Sequence, residues 1–275
     1  MSDAPPSLLN RNLLVRIFSS LALIPVVLGA VWVGDWAFFI LILLVSGLSM
    51  REWMALTAPN HPAKAEIVIL FALVIVVLAA QFKGPPQAIA LMLLASLLLG
   101  VSAARTMENR TRSNILWAVV GFPYVTLSAL SMGFLRQLPE HGLALTLYLL
   151  LVVWGTDTGA YFAGRMIGGP KLLPKISPKK TWAGLIGGMA FAAAMGYAVA
   201  LWFEATLVWQ AAVLAAVLAL VAQAGDFLES YVKRRAGAKD SGTLIPGHGG
   251  MLDRVDGLLA AALALGAFVR IWNGL

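Results

Sequence analysis

Long apolar stretches alternate with short polar breaks along the whole chain. Roughly twenty apolar residues in a helix cross the hydrocarbon of a bilayer. By that measure the pattern predicts spans near 14–34, 36–50, 65–82, 87–104, 115–134, 143–163, 183–203, 207–228 and 257–274. These make nine, the second short enough to be tilted or partly re-entrant. Segment length, and the lack of ten-residue stretches of alternating polarity, select helices over a transmembrane barrel. The expected fold class is all-α, a polytopic integral membrane protein. Arg11 and Arg16 precede an apolar stretch as in a secretory leader, but no small-residue cleavage site is clear, so the stretch reads as a retained first span.

The basic residues orient the spans. With the N-terminus cytoplasmic, 17 of the 20 Lys and Arg residues fall inside, and only Lys83, Arg136 and Arg270 outside. That bias satisfies the positive-inside rule. An odd number of spans places the C-terminus outside, and the two longest polar loops, 164–182 and 229–256, share the cytoplasmic side. No internal repeat is visible, unlike many transporters. The chain divides into an N-terminal scaffold, 1–140, poor in ionisable groups within its spans, and a C-terminal catalytic region, 141–275, joined to it within the membrane.

Composition narrows the chemistry. The chain is 60% hydrophobic and 12% charged, against about 25% charged for soluble domains. It has no cysteine, which excludes disulfides, thiolate nucleophiles and Cys-bound metals. A metal would need oxygen ligands or one of three histidines, which favours a hard cation such as magnesium. The net charge of +7 reads as anchoring in cytoplasmic loops, not as nucleic-acid binding.

Against this background the polar run 230–256, SYVKRRAGAKDSGTLIPGHGGMLDRVD, stands out. Charge at a membrane edge is costly and by default marks function. Across the start of the run, Asp226, Glu229, Ser230 and Lys233 are spaced to share one helix face. Asp253 and Asp256 are likewise one turn apart at the start of the last span, where negative charge suits a helix N-terminus. Asp226, Asp253 and Asp256 together form a candidate magnesium site for one cation, or two. Lys233, Arg234, Arg235 and Lys239 are candidate phosphate contacts. Gly247, Gly249 and Gly250 flank His248 in a segment able to bring backbone amides to an anion. Upstream, Asp157 lies in or near the sixth span, and Lys171, Lys175, Lys179 and Lys180 follow in a loop with Ser177, Pro178 and Thr181. For each of these cations the plainer role is headgroup anchoring, worth about 1 kcal/mol per residue. The whole is a toolkit for phosphoryl or nucleotidyl transfer on an amphipathic substrate.

The residues Ser230, Lys233, Arg234, Lys239, Asp240, Pro246, His248, Gly249, Gly250, Asp253, Arg254 and Asp256 resemble, in identity and spacing, the pattern of the phosphatidate cytidylyltransferases (CDP-diacylglycerol synthases). The segments DTGAYFAGR, KISPKKTW and GDFLES also resemble that family, so the likeness by motif covers about 150–260. The family pattern has a glutamate where this chain has Ala183. The resemblance implies that CTP and phosphatidate give CDP-diacylglycerol and pyrophosphate with magnesium. It implies metal ligation by Asp226, Asp253 and Asp256, and phosphate neutralisation by Lys233, Arg234, Lys239 and Arg254. Asp240 and His248 join the catalytic set, His248 as a phosphate or orienting contact. Asp157, Ser177, Lys179, Lys180, Thr181, Ser230, Gly249 and Gly250 are expected around the substrates. The expected partners are CTP, phosphatidate and the bilayer, with a homodimer as a further candidate and no nucleic acid. The expected location is a bacterial inner membrane, with the site facing the cytoplasm.

The alternatives are a CTP-dependent polyprenol or phytol kinase, a catalytically degenerate homologue, and an anion transporter. The kinase would release CDP without pyrophosphate. A transporter would carry charges at the midplane of several helices. A CDP-alcohol phosphotransferase is excluded, because Asp256-Gly257 lacks the arginine that family needs downstream.

Overall fold

The computed structural model describes residues 23–106, 112–244, 249–272 and 274. Nine α-helices occupy them: α1 (Leu23–Val33), α2 (Asp35–Thr57), α3 (Ala63–Lys83), α4 (Pro85–Thr106), α5 (Arg112–Gln137), α6 (Gly142–Met166), α7 (Trp182–Trp202), α8 (Val208–Arg235) and α9 (Leu252–Trp272). Eight of these, α2 to α9, are long and apolar enough to cross a membrane. Of the expected first span only α1 lies among the described residues. The protein is thus an all-helical, multi-pass membrane protein.

Three segments depart from the hydropathy pattern. Helix α2 runs on to Thr57 rather than stopping near residue 50. Its two charges in that last stretch have partners: Arg51 pairs with Glu66 of α3 at 2.8 Å, and Glu52 points into the protein. Helix α8 continues to Arg235, and α9 begins at Leu252, because helical hydrogen bonding extends into polar residues that hydropathy assigns to the loop. The third departure lies in the loop 164–182, where a small antiparallel pair, β1 (Lys171–Leu173) and β2 (Ser177–Thr181), forms although no strand is expected there.

Tight helix pairs frame the second half. Helices α6 and α7 meet through small residues. A Cβ on Gly159 would lie 2.5 Å from Phe191 Cβ and 2.7 Å from the Gly187 carbonyl. Small residues let backbones approach where lipid offers no hydrophobic drive. Two buried clusters fill the interior. One joins Phe38 and Trp53 of α2, Leu73 of α3 and Phe122 of α5 to Leu252 and Val255 of α9, and so draws on both sides of residue 140. The other holds Leu149, Ala215, Leu218 and Leu265. Polar tethers fix α9 to α5: Ser128 donates to the Leu259 carbonyl at 2.9 Å, and Tyr124 to that of Asp256 at 3.3 Å.

The two ends of the bundle differ. At one, Arg136 donates to the Val31 carbonyl at 2.9 Å, and the exposed Trp36 lies 6.1 Å from Phe82. Trp32, Trp202, Trp209 and Trp272 are exposed close to helix ends. Such aromatics settle at a membrane–water interface. The other end carries the strand pair and the segment between α8 and α9, which touch where Arg234 donates to the Ile176 carbonyl at 3.4 Å.

Candidate active site

Helices α8 and α9 approach closely because Gly225 has no side chain. A Cβ there would stand 2.6 Å from that of Ala260 and 2.7 Å from the Asp256 carbonyl. The approach brings Asp226 and Glu229 of α8 opposite Asp256 of α9. Each offers a carboxylate oxygen, and these oxygens lie within 4.8 Å of one another. Glu229, 2% exposed, is the most buried acid of the three. Ser230 donates to Asp226 at 3.3 Å.

Two lysines face this acidic group. Lys180 reaches in from β2, pairs with Asp226 and lies 4.6 Å from the centre of the Phe227 ring. Lys233 pairs with Glu229 on its own helix and donates to Asp253 Oδ1 at 2.6 Å. Lys233 thus bridges Asp253 to Glu229 of the group. The other oxygen of Asp253, Oδ2, accepts from the amides of Ser241 at 2.9 Å and Gly250 at 2.8 Å. Gly249, at φ +83°, leaves room for that oxygen, since a Cβ there would lie 2.7 Å from it.

The remaining expected residues divide. Thr181 caps α7, its hydroxyl accepting from the Gly184 amide at 3.1 Å, and is buried. Lys179 is exposed and Ser177 half-buried on β2, so of this hairpin Lys180 is the cation that reaches the acidic group. Arg234 spends its donors on the carbonyls of Ile176 and Ala238, joining the hairpin to the loop. Lys239 and Asp240 are exposed on that loop. His248 and Pro246 lie outside the described residues. Ala183 sits half-buried in the first turn of α7.

Asp157 and Arg254 border a cavity of about 520 Å³. Apolar side chains make most of its wall, among them Val27 of α1, Phe38 and Ile42 of α2, Met132 of α5, Trp154 of α6 and Leu258 of α9. Ser46, Asp157, Thr158 and Arg254 supply the polar part. Asp157 interacts electrostatically with Asp226, Lys180 and Arg254, so the cavity and the acidic group share one field.

One residue in contact with the motif was not expected. Glu52 of α2 accepts from the amides of Met251 and Leu252, both at 2.8 Å, and from the Ser241 hydroxyl at 2.7 Å. The signal was available: Glu52 lies two residues past the end of an expected span, where charge at the membrane edge is costly, as it is for Asp226.

A helical membrane protein that sets carboxylates and lysines beside an apolar cavity belongs to the class of enzymes working on a charged lipid. The chain belongs to the cytidylyltransferase family, whose model matches residues 14–272. It is similar to the phosphatidate cytidylyltransferase of Brucella suis biovar 1 (strain 1330), 40% identical over 262 residues covering 95% of this chain and 94% of that protein. It is also similar to the proteins of that name from Pseudomonas aeruginosa (36% identical, 90% and 93% covered) and Haemophilus influenzae (34% identical, 90% and 94% covered).

Proposed function

We infer that this chain transfers the cytidylyl group of CTP to phosphatidate, giving CDP-diacylglycerol and pyrophosphate. Family membership supports the reaction, and one observation carries the reading at the site. An apolar cavity ends in Asp157 and Arg254 and is joined electrostatically to Asp226 and Lys180. Acyl chains suit its walls and a phosphate suits Arg254 at its polar edge.

The donor set fits magnesium. Asp226, Glu229 and Asp256 offer oxygen alone, in a group compact enough to share one cation, and three protein ligands leave the other positions of an octahedral ion for water and phosphate. Bound there, the cation would neutralise phosphate oxygens and draw charge from the nucleotide as pyrophosphate departs. The side chains do the rest by position. The phosphate oxygen of phosphatidate attacks the α-phosphorus of CTP, the bond to the pyrophosphate oxygen breaks, and no side-chain nucleophile is needed. Arg254 holds the lipid phosphate, while Lys180 and Lys233 balance the acids until phosphates arrive. The basic bias of the loops supports a cytoplasmic site in a bacterial inner membrane.

Purified protein given phosphatidate in mixed micelles and α-labelled CTP is expected to make labelled lipid and pyrophosphate in equal amounts, only with magnesium. CDP and a phosphorylated alcohol without pyrophosphate would replace this reading with that of a lipid kinase.

A further inference from the structure

Between α8 and α9 the chain runs through residues 236–251, which include Gly237, Gly242, Gly247, Gly249 and Gly250. Glycine-rich backbone loses much entropy on ordering and needs anchors to hold one shape. The first amides of α9 also lack partners within their own helix. Beside Asp253, which takes the amides of Ser241 and Gly250, one side chain from the other half of the molecule serves both needs.

Glu52 is 9% exposed and satisfied by three donors: the amides of Met251 and Leu252 and the hydroxyl of Ser241. A carboxylate at the start of a helix interacts favourably with its dipole. The surroundings are shaped to it. A Cβ on Gly242 would lie 2.8 Å from Glu52 Oε1, and one on Gly250 would overlap both Glu52 Oε2 and Ser241 Oγ. The neighbouring Trp53 is wholly buried and donates to the Trp117 carbonyl at 2.9 Å, so α2 is a fixed support.

Ser241 links this anchor to the acidic group. Its hydroxyl serves Glu52, while its amide donates to Asp253, which in turn takes Lys233, the partner of Glu229. Asp256 follows Leu252 by four residues, about one helical turn. Whatever fixes the first turn of α9 therefore also aims Asp256 at Asp226 and Glu229.

We propose that Glu52 is a positioning residue for the transfer reaction: from α2 it holds Ser241 and the start of α9 at Met251 and Leu252, and so sets the geometry of the acidic group it does not touch. The inference rests on the proposed cytidylyl transfer. Its test combines turnover with a readout that needs none. Glu52→Gln keeps the shape but turns an NH2 toward a donor. In detergent-purified protein it is expected to speed hydrogen exchange of the peptide covering 249–253 at least fivefold, with exchange in α6 unchanged. Its kcat should fall roughly 10–100-fold, the range for residues that orient a metal site, with KM for CTP within threefold and half-saturating magnesium raised at least threefold. Glu52→Asp should recover part of each, and Ser241→Ala should show the same pattern more weakly. Exchange and kcat of Glu52→Gln within twofold of the parent would overturn the proposal. A loss that only tracks the folded fraction, with the magnesium requirement unchanged, would do so too. A parent protein that makes no CDP-diacylglycerol would overturn the functional reading alone, since the exchange result stands without turnover.

Discussion

Two sets of carboxylates meet at the same end of the bundle and are treated in opposite ways. Glu52 and Asp253 accept from backbone amides, a serine hydroxyl and, at Asp253 Oδ1, Lys233, so each oxygen has a directed donor. Asp226, Glu229 and Asp256 face one another, balanced by Lys180 and Lys233, and take fewer such donors: Ser230 to Asp226 and the Gly257 amide to Asp256. Like charges this close disfavour one another. A fold does not gather three acids for stability when the neighbouring pair shows how acids are used to hold a loop. The first set fixes shape; the second stores a demand for positive charge that a bound cation and its phosphates would meet.

Substitutions can break that contrast. The largest effect is expected at Asp256→Asn. Removing one charge from the crowded set should cut labelled-lipid formation a hundredfold or more, about 3 kcal/mol of transition-state stabilisation. Melting in detergent should stay the same or rise, because repulsion is relieved. A variant that melts early and keeps its turnover would put Asp256 among the structural acids.

Asp253→Asn comes next and sharpens the boundary between the sets. It deprives Lys233 of a partner and turns an amide toward the Ser241 and Gly250 donors. Stability should drop by about 3 kcal/mol, the cost of breaking a buried pair, with turnover falling alongside. If the melt is unaltered while turnover and magnesium response vanish together, Asp253 acts with Asp226 and Asp256, as the sequence pattern alone suggested.

The smallest expected effect is that of Gly250→Ala, which leaves every charge in place. Its Cβ would overlap Ser241 and Glu52. Overpacking of this kind costs about 1–3 kcal/mol, visible as a lower melting temperature with magnesium dependence intact. An unchanged melt would mean the loop has slack and the anchoring set is looser than its hydrogen bonds imply.

Much of this arrangement was legible in the sequence because it is local. Hydropathy locates the long helices, and spacing along one helix puts Asp226, Glu229 and Lys233 on a single face. What was not legible depends on contacts distant in sequence. Glu52 meets its partners 189 to 200 residues away, and its neighbour Arg51 looks like an ordinary membrane anchor that ends a span. The roles within loop 164–182 were hidden for another reason. Pro170, Pro174 and Pro178 argue against strands, yet the segment pairs with itself and sends Lys180, rather than its neighbour Lys179, to Asp226. Thr181 reads as a substrate contact in a lysine-rich loop, whereas its hydroxyl starts a helix.

The acidic group is carried by the ends of membrane helices, not by a domain standing off in water. For a two-tailed substrate this sets the direction of traffic. Lifting a lipid with two chains of about sixteen carbons out of the leaflet would cost on the order of 25 kcal/mol, at about 0.8 kcal/mol for each CH2. Here the headgroup needs only to slide sideways, with its tails left in hydrocarbon. The nucleotide makes the journey across the interface, and pyrophosphate is the one product that leaves the membrane plane.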